Sequence, residues 1–94
     1  MAIVTILPEA LEQFEALPKR IYERVEALIL RLEKWPEVSG AKPLRGELAG
    51  CYRLRTGAYR IQFRVRPGEK VEGQPPADDR ITVEKVGHRD GFYE

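Results

Sequence analysis

The feature that most limits how this chain can fold is a pair of alternating runs, Cys51–Thr56 and Tyr59–Arg66, separated only by Gly57 and Ala58. Apolar and polar residues exchange places at almost every step, the period of a strand with one buried face. Glycine at the first central position suits a two-residue turn of type II′, whose twist matches that of paired strands. Pairing Thr56 with Tyr59 sets Leu54 opposite Ile61 and Tyr52 opposite Phe63 on an apolar face. The other, exposed face then carries Arg55 across from Arg60, Arg53 across from Gln62, and Cys51 across from Arg64. A slip of one residue would bury the arginines, so the pattern holds this register firmly.

The rest of the chain supplies what covers the apolar face. Ile3–Leu7 is apolar and β-branched and reads as a short buried strand that Pro8 ends. Pro8 suits the first position of a helix, where its missing N–H costs nothing. Leu11, Phe14 and Leu17 give that helix its apolar stripe, with Glu9 and Glu12 near its positive end. After Pro18, a second helix carries Ile21, Val25, Leu28, Leu32 and Trp35 at helical spacing, and Pro36 sets its stop at Trp35. Trp35 reads as an anchor at the helix end and Tyr22 as a neighbour of the stripe without a special role. A loop with Gly40, Pro43 and Gly46 leads into the hairpin, and Ile81–Val86 forms a last strand with Ile81 and Val83 towards the core. Between hairpin and last strand, Pro67–Arg80 is polar and rich in glycine and proline, the composition of a mobile loop. The expected fold is α+β, in the order β-α-α-β-β-β, with a helical hairpin packed on a mainly antiparallel four-stranded sheet.

Ninety-four residues make one small domain, 1–94, and a chain of that size gains from a stabilising partner. The single cysteine, Cys51, cannot form an internal disulfide and fits a reducing compartment. The first residues lack the pattern of a signal peptide, and no apolar run approaches the roughly 18 residues a membrane span needs. The expected location is the cytoplasm, with no membrane partner. One histidine and one cysteine make no metal site, and there is no glycine-rich nucleotide loop, so no cofactor is expected.

The net charge of +1 conceals a strong asymmetry. Seven basic residues fall between Lys42 and Arg66 (Lys42, Arg45, Arg53, Arg55, Arg60, Arg64 and Arg66) against Glu47 alone, while both flanks are acidic. Guanidinium groups match phosphate oxygens and stay charged near neutral pH. Like charges placed opposite one another destabilise a sheet, so a ligand-binding role accounts for them better than decoration of an exposed face. Lys42, Arg45 and Arg64 extend the basic surface as candidate RNA-binding residues. The run Gly87–Tyr93 adds His88, Arg89 and Tyr93, a titrating ring, a fixed cation and a stacking aromatic. It reads equally as a catalytic tail or as a terminal segment packing on the core.

Four segments together resemble the RelE/ParE toxin superfamily: LPEALEQFEALP (7–18), KPLRGELAGCYRLR (42–55), GAYRIQFRV (57–65) and VGHRDGFY (86–93). The resemblance implies a RelE-like two-layer fold and the toxin of a type II toxin–antitoxin system, bound by a cognate antitoxin in a hetero-oligomer. RelE-like members are ribosome-dependent endoribonucleases (mRNA interferases) that block translation by cutting mRNA in the ribosomal A site. Their products end in a 2′,3′-cyclic phosphate and a 5′-hydroxyl. ParE-like members inhibit DNA gyrase instead, and an inactive member would serve as a binding module with its antitoxin.

On matching positions, Arg53 and Arg55 fall where the family has basic residues on the first hairpin strand, and Arg60 on its phosphate-binding arginine. Arg89 falls on its C-terminal catalytic arginine and Tyr93 on its base-stacking tyrosine. RelE-type enzymes commonly have lysine where this chain has Arg53 and Arg55. Arginine is a poor general base because it does not lose its proton. His88 is therefore the expected proton-transfer residue, with Tyr93 behind it, and the hairpin arginines the electrostatic clamp. The Pro67–Arg80 loop, longer than the family's usual turn, is a second departure.

Overall fold

A computed structural model describes residues 2–91 of the chain. The order is β1 (Ile3–Ile6), α1 (Pro8–Glu15), α2 (Lys19–Arg31), β2 (Lys42–Pro43), β3 (Cys51–Thr56), β4 (Tyr59–Arg66) and β5 (Arg80–His88). Short 3-10 turns follow α2 at Leu32–Lys34, precede β3 at Gly46–Leu48 and follow β5 at Arg89–Gly91. The strands form one sheet in the order β1-β5-β4-β3-β2, with β1 parallel to β5 and the other pairs antiparallel. It is the expected two-layer α+β architecture with one strand more, the two-residue β2 on the edge.

The hairpin register is the one the alternation demands, from Thr56 opposite Tyr59 to Cys51 opposite Arg64. Gly57 has φ +59° while Ala58, like every described residue other than glycine, keeps a negative φ, the signature of glycine first in a type II′ turn. Leu54, Ile61 and Phe63 are buried beneath the helices together with Val25, Leu28, Ile29 and Leu32 of α2 and its 3-10 extension. Trp35 closes the core, with its ring edge-on to Tyr52 at 4.7 Å and to Phe63 at 5.5 Å between centroids. In α1 the buried positions are Ala10 and Phe14, while Leu11 is 40% exposed. Phe14 and Leu17 of the expected stripe do face the core, whereas Ala10 takes the buried place expected of Leu11. Tyr22 stacks on Phe14 at 4.2 Å and ties the two helices together.

The last strand departs from simple alternation. Phe63 pairs with Val83 but Gln62 with Lys85, so Glu84 and Lys85 together oppose Gln62 in a β-bulge. The bulge keeps Ile81, Val83 and Val86 all in the core, and turns Lys85 out beside Glu84. Past the end of β1, the Val86 N–H donates to the Gln13 side chain at 2.8 Å, so α1 caps the strand edge that β1 leaves open.

The loop expected over Pro67–Arg80 ends at Asp79, since Arg80 opens β5, and it closes on itself at its base. The Gly68 N–H donates to Asp79 Oδ1 at 2.9 Å and the Ala77 N–H to the Glu69 carbonyl at 3.0 Å. A Cβ at Gly68 would overlap the Ala77 carbonyl, which is why glycine stands there. No described helix is long and apolar enough to cross a membrane.

Phe63 is fully buried at the centre of the aromatic cluster. Phe63→Ala is expected to cost about 3–5 kcal/mol in denaturant unfolding. A loss under about 1 kcal/mol would contradict the placement of the core.

Candidate nucleic-acid interface

The helices cover one face of the sheet, and the basic residues gather on the other. Strand register places side chains on this face in rows. One row holds Arg55 and Arg60, with Gly87 of β5 beside them. The next holds Lys42, Arg53, Gln62 and Lys85, and a third Cys51, Arg64 and Thr82. Arg55 is exposed and Arg60 half-buried. Glycine at position 87 puts no side chain of β5 opposite Arg60. Arg89 is fastened to this end of the sheet, its N–H donating to the Ala58 carbonyl in the hairpin turn at 2.7 Å. Its own side chain is 63% exposed. Arg55 and Arg60 thus share the hairpin tip with the backbone of Arg89, whose guanidinium lies 3.6 Å from the Asp90 carboxylate.

Elsewhere the face differs from the open arginine surface that alternation suggests. Arg53 is buried, at 7% exposure, and not on an exposed surface. It stands on an interior strand, paired with Lys42 on one side and Gln62 on the other. Cys51 and Gln62 are likewise buried. Lys42 and Arg45 lie together at the outer edge, lining a concavity of about 740 Å³ beside β2.

His88 is not beside the arginines. It pairs with Tyr59, and the two rings meet edge-on at 5.2 Å between centroids. Tyr59 shares its face with Ile61 and Phe63, so His88 stands on the helix side of the sheet, opposite to Arg60 and Arg55. Its Nδ1 lies 3.2 Å from the Asp90 N–H and 3.4 Å from the Asp90 carboxylate, so that nitrogen is engaged whether the ring is neutral or charged. Tyr93 lies outside the described residues. Lys85 is the residue the alternation missed. Counting by twos from Ile81 and Val83 points it into the core, whereas the bulge puts it on the arginine face, next to the Arg55–Arg60 row. The signal was present in the three-residue step between the apolar Val83 and Val86.

Glu84 organises the third row. Its carboxylate accepts from Arg64 Nε at 3.2 Å, Cys51 Sγ at 3.3 Å and Gln62 Nε2 at 3.4 Å. Burial alone would push this carboxyl up. The hydrogen bonds from Cys51, Arg64 and Gln62, with the charge of Arg64, outweigh it and hold the group below its ordinary value of 4.5. Burial first, and the neighbouring carboxylate second, push the Cys51 thiol up from 9.0, which keeps it a neutral donor. Among the described residues no group of acidic, histidine and cysteine side chains could hold a metal ion.

A carboxyl with a depressed pKa in the folded state contributes stability that is present above its unfolded value and lost as the pH falls. The melting temperature should therefore drop below about pH 4.5, and less steeply in Glu84→Gln than in the wild type. Thermal unfolding monitored from pH 7 to pH 3 measures this. Parallel curves for the two proteins would contradict the cluster.

The family model described as the ParE toxin of type II toxin–antitoxin systems, parDE, matches residues 4–91. None of the curated proteins matches the chain. Among solved structures, a chain of the RelBE2 toxin–antitoxin complex from Mycobacterium tuberculosis is similar at 29% identity and TM-score 0.69, covering 94% of this chain and 98% of that one. The isolated RelE toxin of E. coli superimposes with TM-score 0.67 at 19% identity, over 94% of this chain and 84% of that one. The RelB–RelE complex from Methanococcus jannaschii gives 0.61 at 20%, over 92% and 91%. The last two show a shared fold, and the family match runs through both helices, the hairpin and the last strand. The chain belongs to the ParE toxin family of type II toxin–antitoxin systems, within the RelE/ParE superfamily.

Proposed function

We propose that this toxin is a ribosome-dependent endoribonuclease that grips mRNA in the A site with the arginines of the hairpin tip. The observation that carries the reading is the direct pairing of Arg55 with Arg60 at the end of the sheet to which the Arg89 backbone is fastened. Two of these cations face each other directly, an arrangement that costs stability unless an anion joins them. Three guanidinium groups around one backbone phosphate would hold the charge that grows as the 2′-oxygen attacks phosphorus and the bond to the 5′-oxygen breaks. The products are a 2′,3′-cyclic phosphate and a 5′-hydroxyl. Arginine does not supply the base, and His88 faces the other way. Lys85, carried onto the arginine face by the bulge, is the side chain best placed to move the proton. Tyr93 keeps its proposed part in stacking a base. Lys42 and Arg45 extend the basic surface along the edge of the sheet.

A cognate antitoxin is the proposed protein partner, supported by the toxin–antitoxin complexes among the similar structures. A second reading, inhibition of DNA gyrase, is favoured by one observation: none of Arg53, Arg55 or Arg60 can act as a base, and His88 is turned away. An inactive member that only binds its antitoxin is the third, and it predicts normal growth when the chain is expressed alone.

Purified toxin added to programmed ribosomes should cut mRNA within the A-site codon. Intact mRNA together with lost supercoiling by gyrase would replace this reading with the second. Arg60→Ala and Arg89→Ala should each lower the cleavage rate by about 10²–10³. Lys85→Met should lower it by about 10² or more and flatten its pH profile. His88→Ala should cost less than any of these. A larger loss in His88→Ala than in Lys85→Met would return proton transfer to the histidine.

A further inference from the structure

The edge of the sheet at β2 carries two apolar side chains that the core does not use. The Leu44 N–H donates to the Cys51 carbonyl at 2.9 Å, which extends the β2–β3 ladder by one residue. By strand alternation the Leu44 side chain then stands on the same face as Lys42, away from the helices. Leu48 follows in the 3-10 turn Gly46–Leu48. Both leucines are half-buried, yet neither belongs to the hydrophobic core nor packs against it. With Pro43 they line the concavity of about 740 Å³, and Lys42 and Arg45 complete its wall. No carboxylate lines it: Glu47, the one acid between Lys42 and Arg66, is exposed and lies outside the lining. Among the described residues neither Lys42 nor Arg45 takes part in an ion pair. The hollow at the base of the long loop is of another kind, since Glu69 and Asp78 line it together with Arg66 and Arg80.

Register ties this hollow to the arginine face. Lys42 is paired with Arg53, two residues from Arg55, so strand rise and spacing put its Cα roughly 8 Å from that of Arg55. A nucleic-acid strand held at Arg55 and Arg60 and leaving over β3 would bring its neighbouring nucleotides to the hollow. An extended peptide suits this edge less. Because Leu44 directs its N–H at β3, Pro43 occupies the position that would donate outward, and proline has no N–H. We infer that the hollow is a nucleotide subsite: Pro43, Leu44 and Leu48 take the face of a base, and Lys42 and Arg45 the phosphates that flank it. The inference rests on the reading that the arginine face binds RNA. An apolar wall contacts any base through its flat face and gains more from a larger one. The subsite therefore favours purine over pyrimidine without reading hydrogen-bonding edges.

A purine-rich 2′-O-methyl oligoribonucleotide, which lacks the attacking hydroxyl, probes the subsite without cleavage. Leu48→Gln should weaken its binding about fivefold and leave the slope of log affinity against log salt unchanged. Lys42→Gln and Arg45→Gln should each reduce the magnitude of that slope by about 0.7. The apolar and the cationic walls thus leave different signatures in one assay. The preference of the wild type for the purine probe over a pyrimidine one should fall in Leu48→Gln. A folded Leu48→Gln that binds as the wild type does overturns the inference.

The wild-type protein decides the matter even where Leu48→Gln fails to fold. In a sample labelled at leucine methyl groups and arginine side chains, the same oligonucleotide should shift the methyl signals of Leu44 and Leu48 together with the Nε–H signals of Arg55 and Arg60. Arginine shifts with silent leucines overturn the inference and leave RNA binding intact. Leucine shifts on adding an acidic peptide of alternating leucine and glutamate, with none on adding RNA, make the hollow a protein-docking surface and overturn it as well. No shift at either leucine or either arginine on adding RNA, with a salt slope near zero, overturns the RNA reading beneath it and the inference together.

Discussion

Everything else in this molecule depends on the register of the β3–β4 hairpin. Leu54 on Ile61 and Tyr52 on Phe63 give α2 a surface to pack on, and the same pairing sends Arg55, Arg60 and Arg64 to the far side. Because strand side chains alternate strictly, the core and the cationic face are two consequences of one alignment. The apolar side stabilises the register strongly enough to tolerate what the polar side costs, a pair of arginines directly opposed. Fold and site are energetically linked in that sense: burial on one face maintains charge crowding on the other.

The bulge in β5 modifies this plan. By opposing Glu84 and Lys85 to Gln62, it gives the polar face one carboxylate and one lysine without removing Val83 or Val86 from the core. The carboxylate is absorbed into a network with Arg64, Cys51 and Gln62, a part-buried arrangement in which the ionised acid is well satisfied. The face therefore has two halves of different character. One is knitted together around Glu84; the other, at the hairpin tip, pairs Arg55 with Arg60 and receives the Arg89 backbone from beyond the end of β5, with the Arg89 guanidinium beside Asp90.

The hairpin, its turn and the two helices were legible in the sequence because period and punctuation agree. Gly57 sits where a positive φ is required, and Pro8 and Pro36 fall at element boundaries. Three things were not legible by the same logic. Arg53 is buried on a strand paired on both sides, by β2 and by β4, and alternation within one hairpin does not describe the second pairing. The choice of Ala10 over Leu11 as the buried position of α1 reflects close approach of the helix, favoured by a small side chain over a more hydrophobic one. His88 was expected near the arginines because it is adjacent to Arg89 in sequence. Strand pairing with Tyr59 puts it across the sheet instead. The spacing of Val83 and Val86 did encode the bulge, and with it Lys85.

The central claim is that the hairpin tip works on RNA and not on DNA topology. Its most direct test is to induce the toxin alone in cells and map new 5′-hydroxyl RNA ends while following plasmid supercoiling. The account predicts ends in phase with codons in coding regions, unchanged plasmid topology, and loss of those ends when Arg60 and Arg89 are both replaced by alanine. Relaxed plasmids with no phased ends would contradict it.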